Sequence, residues 1–166
     1  MKRRMLWATG AGIGLAVFGL VFSPADRLIW NRTGSVPQGL YWLSDEPFTK
    51  GSWVVVSSRS AEAQWAEDKS FVGRDWPLLK QIAGVSGDEI CRFGREILID
   101  GERVAEARIV DSKGRALPVW EGCSVLEEDQ FFLLNKHPDS LDGRYFGAME
   151  RSDLVGVARP LMTSDR

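Results

Sequence analysis

Glu96-Ile97-Leu98-Ile99-Asp100-Gly101-Glu102-Arg103-Val104 places two short apolar runs on either side of Asp-Gly. That dipeptide favours a type I′ turn, whose backbone twist matches that of a two-stranded hairpin. Similar runs recur outward from it. Gly39-Leu40-Tyr41-Trp42-Leu43 and Ser52-Trp53-Val54-Val55-Val56 are rich in β-branched and aromatic residues, which suit a pleated, half-buried surface. Residues 78–85 predict a further strand, ended by the turn Ser86-Gly87-Asp88. Residues 130–134, Gln-Phe-Phe-Leu-Leu, predict a buried strand, and residues 154–158 a closing one. Only residues 60–69 read as a helix, short and exposed, with Ser60 as its N-cap. No internal repeat, low-complexity tract or long linker divides this body. The expected fold is mainly β, one domain over residues 23–166.

Composition narrows the chemistry. The chain has 166 residues and a formal net charge of −2. Three of its 21 basic residues, Lys2, Arg3 and Arg4, stand in the first four positions, so the rest carries 18 bases against 23 acids, a net −5. An acidic body argues against nucleic acid as a partner, because sequence-independent binding needs a basic surface. His137 is the only histidine, and Cys91 and Cys123 are the only cysteines. A metal site built from several His or Cys ligands would consume nearly all of them. No metal and no cofactor are expected.

Residues 5–22, MLWATGAGIGLAVFGLVF, are an uncharged run of 18. As a helix this run spans about 27 Å, close to the roughly 30 Å of a bilayer's hydrocarbon. The preceding Lys2, Arg3 and Arg4 stay cytoplasmic by the positive-inside rule. Residues 1–4 then form a cytoplasmic tail, residues 5–22 a single transmembrane helix and the remainder an exported domain in contact with the lipid bilayer. A cleaved signal peptide is the rival reading, since Ser23-Pro24-Ala25 can be read as small-x-small, but its apolar region is usually shorter. A buried core helix is disfavoured by Gly10, Gly12, Gly14 and Gly19. In an exported domain Cys91 and Cys123 could form one disulfide, or remain two unpaired buried thiols.

Three segments hold candidate chemistry. Ser35 lies between Gly34 and Pro37, so its backbone belongs to a turn, and a fixed turn can present a hydroxyl. Most serines in such loops only make the turn. In Leu78-Leu79-Lys80-Gln81-Ile82, a strand puts Leu78, Lys80 and Ile82 on one face. Burial disfavours an ammonium and lowers its pKa, and a neutral amine can take a proton from serine. A snorkelling lysine is the plainer alternative. In Ser140-Leu141-Asp142-Gly143-Arg144, the serine could orient an amine while Asp142 and Arg144 pair across a loop. His137-Pro138-Asp139 also invites a triad with Ser35.

Together these segments resemble the membrane-bound signal peptidases that use a Ser/Lys dyad, and within them the TraF-type pilin-processing peptidases of bacterial conjugation. Residues 33–41 (TGSVPQGLY), 79–88 (LKQIAGVSGD), 140–147 (SLDGRYFG) and 155–161 (VGVARPL) match in order and spacing. The resemblance implies curved β-sheets with the active site facing the membrane. It makes Ser35 the nucleophile, Lys80 the general base and Ser140 the residue that positions Lys80, with Asp142 and Arg144 supporting the loop. It assigns the oxyanion hole to the backbone N–H of Ser35 and the hydroxyl of Thr33. Small side chains fill the pockets at the first and third positions before the cut.

The single residue between Ser35 and Pro37 favours the conjugation branch over general signal peptidases, which place one more residue there. Two positions depart from the family pattern: Gln81 stands where arginine is usual, and Gly143 where serine is usual. The implied function is a serine endopeptidase anchored in the bacterial inner membrane by a single pass, with its catalytic domain in the periplasm. It cuts exported precursors, a conjugative pilin above all, and releases either a hydrolysed or a cyclised product. A general signal peptidase is the alternative enzyme, and a non-catalytic assembly protein of the transfer apparatus the alternative of another class.

Overall fold

A computed structural model describes residues 27–164, with Gly19 alone ahead of them. Eleven strands form two antiparallel sheets among the described residues. The larger has seven strands: β1 (Leu28–Asn31), β2 (Gln38–Ser44), β3 (Trp53–Val56), β4 (Leu78–Gly84), β9 (Gln130–Leu133), β10 (Ala148–Glu150) and β11 (Leu154–Ser164). They lie side by side in the order β1-β2-β11-β3-β4-β9-β10. The smaller sheet, in the order β7-β6-β5-β8, contains β5 (Glu89–Phe93), β6 (Glu96–Ile99), β7 (Glu102–Glu106) and β8 (Gly122–Val125). The mainly β expectation is met. The transmembrane segment expected over residues 5–22 lies, Gly19 apart, outside the described residues, and among those described no helix is long and apolar enough to cross a membrane.

The Asp-Gly turn forms as read. Asp100 and Gly101 both take positive φ, 52° and 78°, as a type I′ turn requires, and join β6 to β7. Helix α1 (Ala61–Asp68) starts at Ser60, whose side chain accepts from the Ala63 N–H. This helix is less exposed than its sequence suggests, because Ala63 and Ala66 are buried. The closing strand runs on to Ser164 rather than stopping at 158, with a register shift between Pro160 and Met162. Pro160, which has no N–H to donate, pairs with β2 alone, because pairing with β3 ends at Val157.

One apolar core cluster lies on the seven-stranded sheet, and a second joins Ile90, Ile97 and Ile99 of the smaller sheet to Phe132 of β9. Val54, Val56, Leu78, Ile82, Leu133 and Val157 pack together, each nearly or wholly buried. Each such side chain contributes about 1.5–3 kcal/mol by leaving water. Pairing of β3 with β4 sets Val54 opposite Lys80. The lysine is carried on a central strand between Leu78 and Ile82, two members of that core.

Candidate active site

Ser35 sits in the six-residue loop between β1 and β2. One side chain organises that loop. Asn31 Nδ2 donates to the carbonyls of Thr33, Val36 and Pro37, and Asn31 Oδ1 accepts from the backbone N–H and the hydroxyl of Thr33. The Tyr41 hydroxyl donates to the Pro37 carbonyl at 2.7 Å, and Val36 is buried beneath. The hydroxyl of Ser35 is therefore carried on a braced turn. At the end of the loop, Gly39 has a φ of 148°, and a Cβ there would lie 2.0 Å from the Met162 carbonyl oxygen. Only glycine lets β2 and β11 approach so closely.

Lys80, Ser140 and Ser35 line one cavity of about 280 Å³, together with Thr33 and the apolar side chains of Ala66, Leu78 and Leu141. Lys80 is 6% exposed. Its ammonium donates to Ser140 Oγ at 3.1 Å. Burial pushes the Lys80 pKa down to about 8, against an upward pull from Asp142, while Arg144 adds to the downward push. A larger cavity of about 560 Å³, lined by Gln81, Ile99 and Glu102, contains neither Ser35 nor Lys80. The candidate residues meet only in the smaller one.

Asp142 and Arg144 pair as anticipated. Arg144 Nη1 donates to Asp142 Oδ2 at 2.6 Å, with both side chains almost wholly buried. Asp142 also caps the short helix α2 (Gly143–Phe146), accepting from the Arg144 N–H. Burial pushes the Asp142 carboxyl upward, while Arg144, Lys80 and two backbone N–H groups pull the other way. Gly143 has a steric reason to replace serine. A Cβ there would meet Phe132 Cε2 at 2.6 Å and the Leu133 carbonyl oxygen at 2.7 Å. Gln81 uses its side chain outside the cavity, donating to the Gly51 carbonyl at 2.9 Å.

Three other expectations concern Thr33, His137 and the two cysteines. Thr33 lines the cavity, but its hydroxyl donates to Asn31 Oδ1 at 2.8 Å. His137 also lines the cavity, yet its Nδ1 accepts from the Asp139 backbone N–H at 3.2 Å. The Asp139 carboxylate turns instead to Arg108, so the His-Asp half of a triad is not assembled. Cys91 and Cys123 are joined by a disulfide between β5 and β8, in the smaller sheet.

Asn135 carries a set of contacts that its sequence does not announce. It is fully buried. Its Oδ1 accepts from the Gln81 N–H at 3.1 Å, and its Nδ2 donates to the Leu79 carbonyl at 3.2 Å and to Ser35 Oγ at 3.4 Å. One amide thus grips the strand on both sides of Lys80 and reaches the serine. A polar residue directly after the apolar run of β9 was the only available signal.

The sequence matches a known family. The family model for signal peptidase, peptidase S26, matches residues 2–162, and the chain belongs to that family. Among curated relatives, it is similar to the conjugal transfer protein TraF of Agrobacterium fabrum, 33% identical over 91% of this chain and 94% of the relative. It is also similar to a plasmid transfer protein TraF of Escherichia coli, 29% identical over 94% of this chain and 93% of the relative. The resemblance to TraF-type peptidases read from the motifs is borne out. A signal peptidase I from Enterococcus faecalis V583 aligns in structure over 69% of this chain and 98% of its own, with a TM-score of 0.40 and 18% identity.

Proposed function

We propose that this protein is a serine endopeptidase with a Ser35/Lys80 dyad, and that its substrate is a pilin precursor of a conjugative transfer apparatus. The observation that carries the chemistry is the buried Lys80 amine, its pKa pushed down to about 8, opening on the same cavity as Ser35. Neutral Lys80 takes the proton of the Ser35 hydroxyl as Oγ attacks the scissile carbonyl carbon. The backbone N–H of Ser35 receives the developing oxyanion, and the Thr33 hydroxyl joins it by exchanging its bond to Asn31. One such donor is worth about 2.7–4 kcal/mol in the transition state. The tetrahedral intermediate collapses as the Lys80 ammonium protonates the leaving amine. Acyl-Ser35 is then resolved by water, giving a linear product, or by the substrate's own amine, giving a cyclic one. The second outcome requires a held N-terminus that outcompetes water.

The substrate assignment is supported by the names of the relatives, which are transfer proteins. Ala66, Leu78 and Leu141 form an apolar wall of this small cavity, suited to small side chains before the cut. In this reading residues 5–22 anchor the chain in the bacterial inner membrane, and residues 23–166 work in the periplasm at the membrane face. Exposed Trp30, Leu161 and Met162 give that body an apolar surface of the kind that meets lipid.

Co-expression of the pilin precursor with wild type, Ser35→Ala and Lys80→Ala tests the reading by intact mass. Processed pilin in the wild-type sample alone is expected. Full-length pilin in the wild-type sample overturns the substrate, and processing by Lys80→Ala overturns the dyad.

A further inference from the structure

We propose that Asn135 is a catalytic hydrogen-bond donor to Ser35 Oγ, acting in both the formation and the breakdown of the acyl-enzyme. The inference rests on the Ser35/Lys80 reading and adds a third group to it.

The orientation of the amide follows from its neighbours. The Gln81 N–H can only donate, and the Leu79 carbonyl can only accept. Asn135 satisfies both at once, at 3.1 and 3.2 Å, so Oδ1 must face Gln81 and Nδ2 must face Leu79. The second Nδ2 hydrogen then has one direction left, and Ser35 Oγ lies there at 3.4 Å. The backbone is held as firmly. The Asn135 N–H donates to Asp142 Oδ2 at 3.0 Å, and the Asn135 carbonyl accepts from Arg144 Nη2 at 2.8 Å. The buried Asp142–Arg144 pair thus reaches the nucleophile through Asn135. A donor fixed by four other hydrogen bonds loses little freedom when it acts.

A hydroxyl has one proton and two lone pairs. A donor on one lone pair leaves the Ser35 proton free for Lys80. As Lys80 takes that proton, negative charge grows on Oγ and the long bond from Asn135 shortens and strengthens. In the second half-reaction Oγ is the leaving group, and the same donor stabilises it until the Lys80 ammonium returns the proton. The oxyanion donors, which face the carbonyl oxygen, cannot do this. A neutral amide also does so without changing the charge felt by Lys80.

The test uses the full-length protein in detergent micelles and a fluorogenic peptide with alanine at the first and third positions before the cut. Asn135→Asp keeps an acceptor for Gln81, removes the donor and adds a carboxylate beside Lys80. Its kcat should fall about a hundredfold with KM little changed, and the acidic limb of its pH profile should move upward. Asn135→Ala should lose kcat without the upward shift. Folded variants that keep kcat within about threefold of wild type and leave the limb in place overturn the proposal.

A second measurement holds even where the variants do not fold. The chain has only two asparagines, Asn31 and Asn135, so [15N]asparagine labelling yields two side-chain amide signals. Ser35→Ala should move one Asn135 amide proton upfield, and an unmoved pair overturns the contact. Should Lys80→Ala cut the peptide as well as wild type, the dyad fails, and the amide shift still decides whether Asn135 touches Ser35.

Discussion

Lys80 Nζ donates to Ser140 Oγ at 3.1 Å across a buried gap that separates the two residues by 60 positions in sequence. This bond aims an amine that lies on a strand at a cavity wall supplied by two loops. Ser140→Ala removes the acceptor and frees the amine to choose other rotamers. Cleavage should fall roughly tenfold to a hundredfold, with substrate KM nearly unchanged, as read by steady-state kinetics on a peptide substrate.

Lys80→Met should abolish cleavage and raise the melting temperature at neutral pH. The folded pKa of Lys80 is lowered to about 8 from 10.5. The unfolded chain therefore binds more protons between those values, and stability rises with pH across that window. Below it, the folded state carries the full penalty of a buried ammonium. Methionine of similar length removes that penalty, and calorimetry at pH 7 should show a gain of several degrees. A loss of stability would mean that the ammonium is well compensated in place.

Asp142→Asn acts in two directions. Asp142 raises the Lys80 pKa, and Arg144 lowers it. Without the carboxylate, the acidic limb of the pH–rate profile should shift to lower pH. The same change leaves Arg144 buried without its partner, a loss of about 3–5 kcal/mol for a buried pair. Denaturant midpoints and pH profiles on one preparation would show both effects.

Reduction of Cys91–Cys123 should lower stability while sparing the site. The bond spans 32 residues, and closing a loop of that size contributes about 3–4 kcal/mol in the chain-entropy account. It ties β5 to β8, in the sheet that carries none of Ser35, Lys80 or Ser140. The Cys91→Ser, Cys123→Ser double variant should melt lower and, at a temperature where it is folded, cut at nearly the wild-type rate. His137→Ala should likewise retain most activity, since Asp139 pairs with Arg108 rather than with the imidazole.

Much of this architecture was legible because the signals were local. Asp100-Gly101 demanded a turn with positive φ, Ser60 offered an N-cap oxygen, and residues 78–84 form an apolar run around a lysine on a strand that proves buried, although Leu79 and Ala83 left open which face turns inward. Ser35, Lys80 and Ser140 were individually weak, and only the resemblance of their segments, taken in order, to the Ser/Lys signal peptidases joined them. What escaped the reading was long-range. The end of β11 was hidden by Pro160, which lies beyond the Leu154–Val157 stretch paired with β3 and beside a register shift against β2. Asn135 looks like a loop residue, since nothing in Leu-Asn-Lys reports that its amide will meet Leu79, Gln81 and Ser35. Asn31 brackets the serine loop in the same silent way. Side chains that satisfy distant backbone groups leave no periodicity behind.

The central claim is that burial lowers Lys80 to about 8 and so supplies a neutral amine to Ser35 as pH rises through that value, and [15N]lysine NMR measures it most directly. The Lys80 Nζ signal, assigned by its loss in Lys80→Met, should titrate near pH 8, and the rate of Ser35 acylation should rise with pH along the same curve. A Lys80 that titrates at the ordinary lysine value, with acylation already complete well below it, would contradict the account.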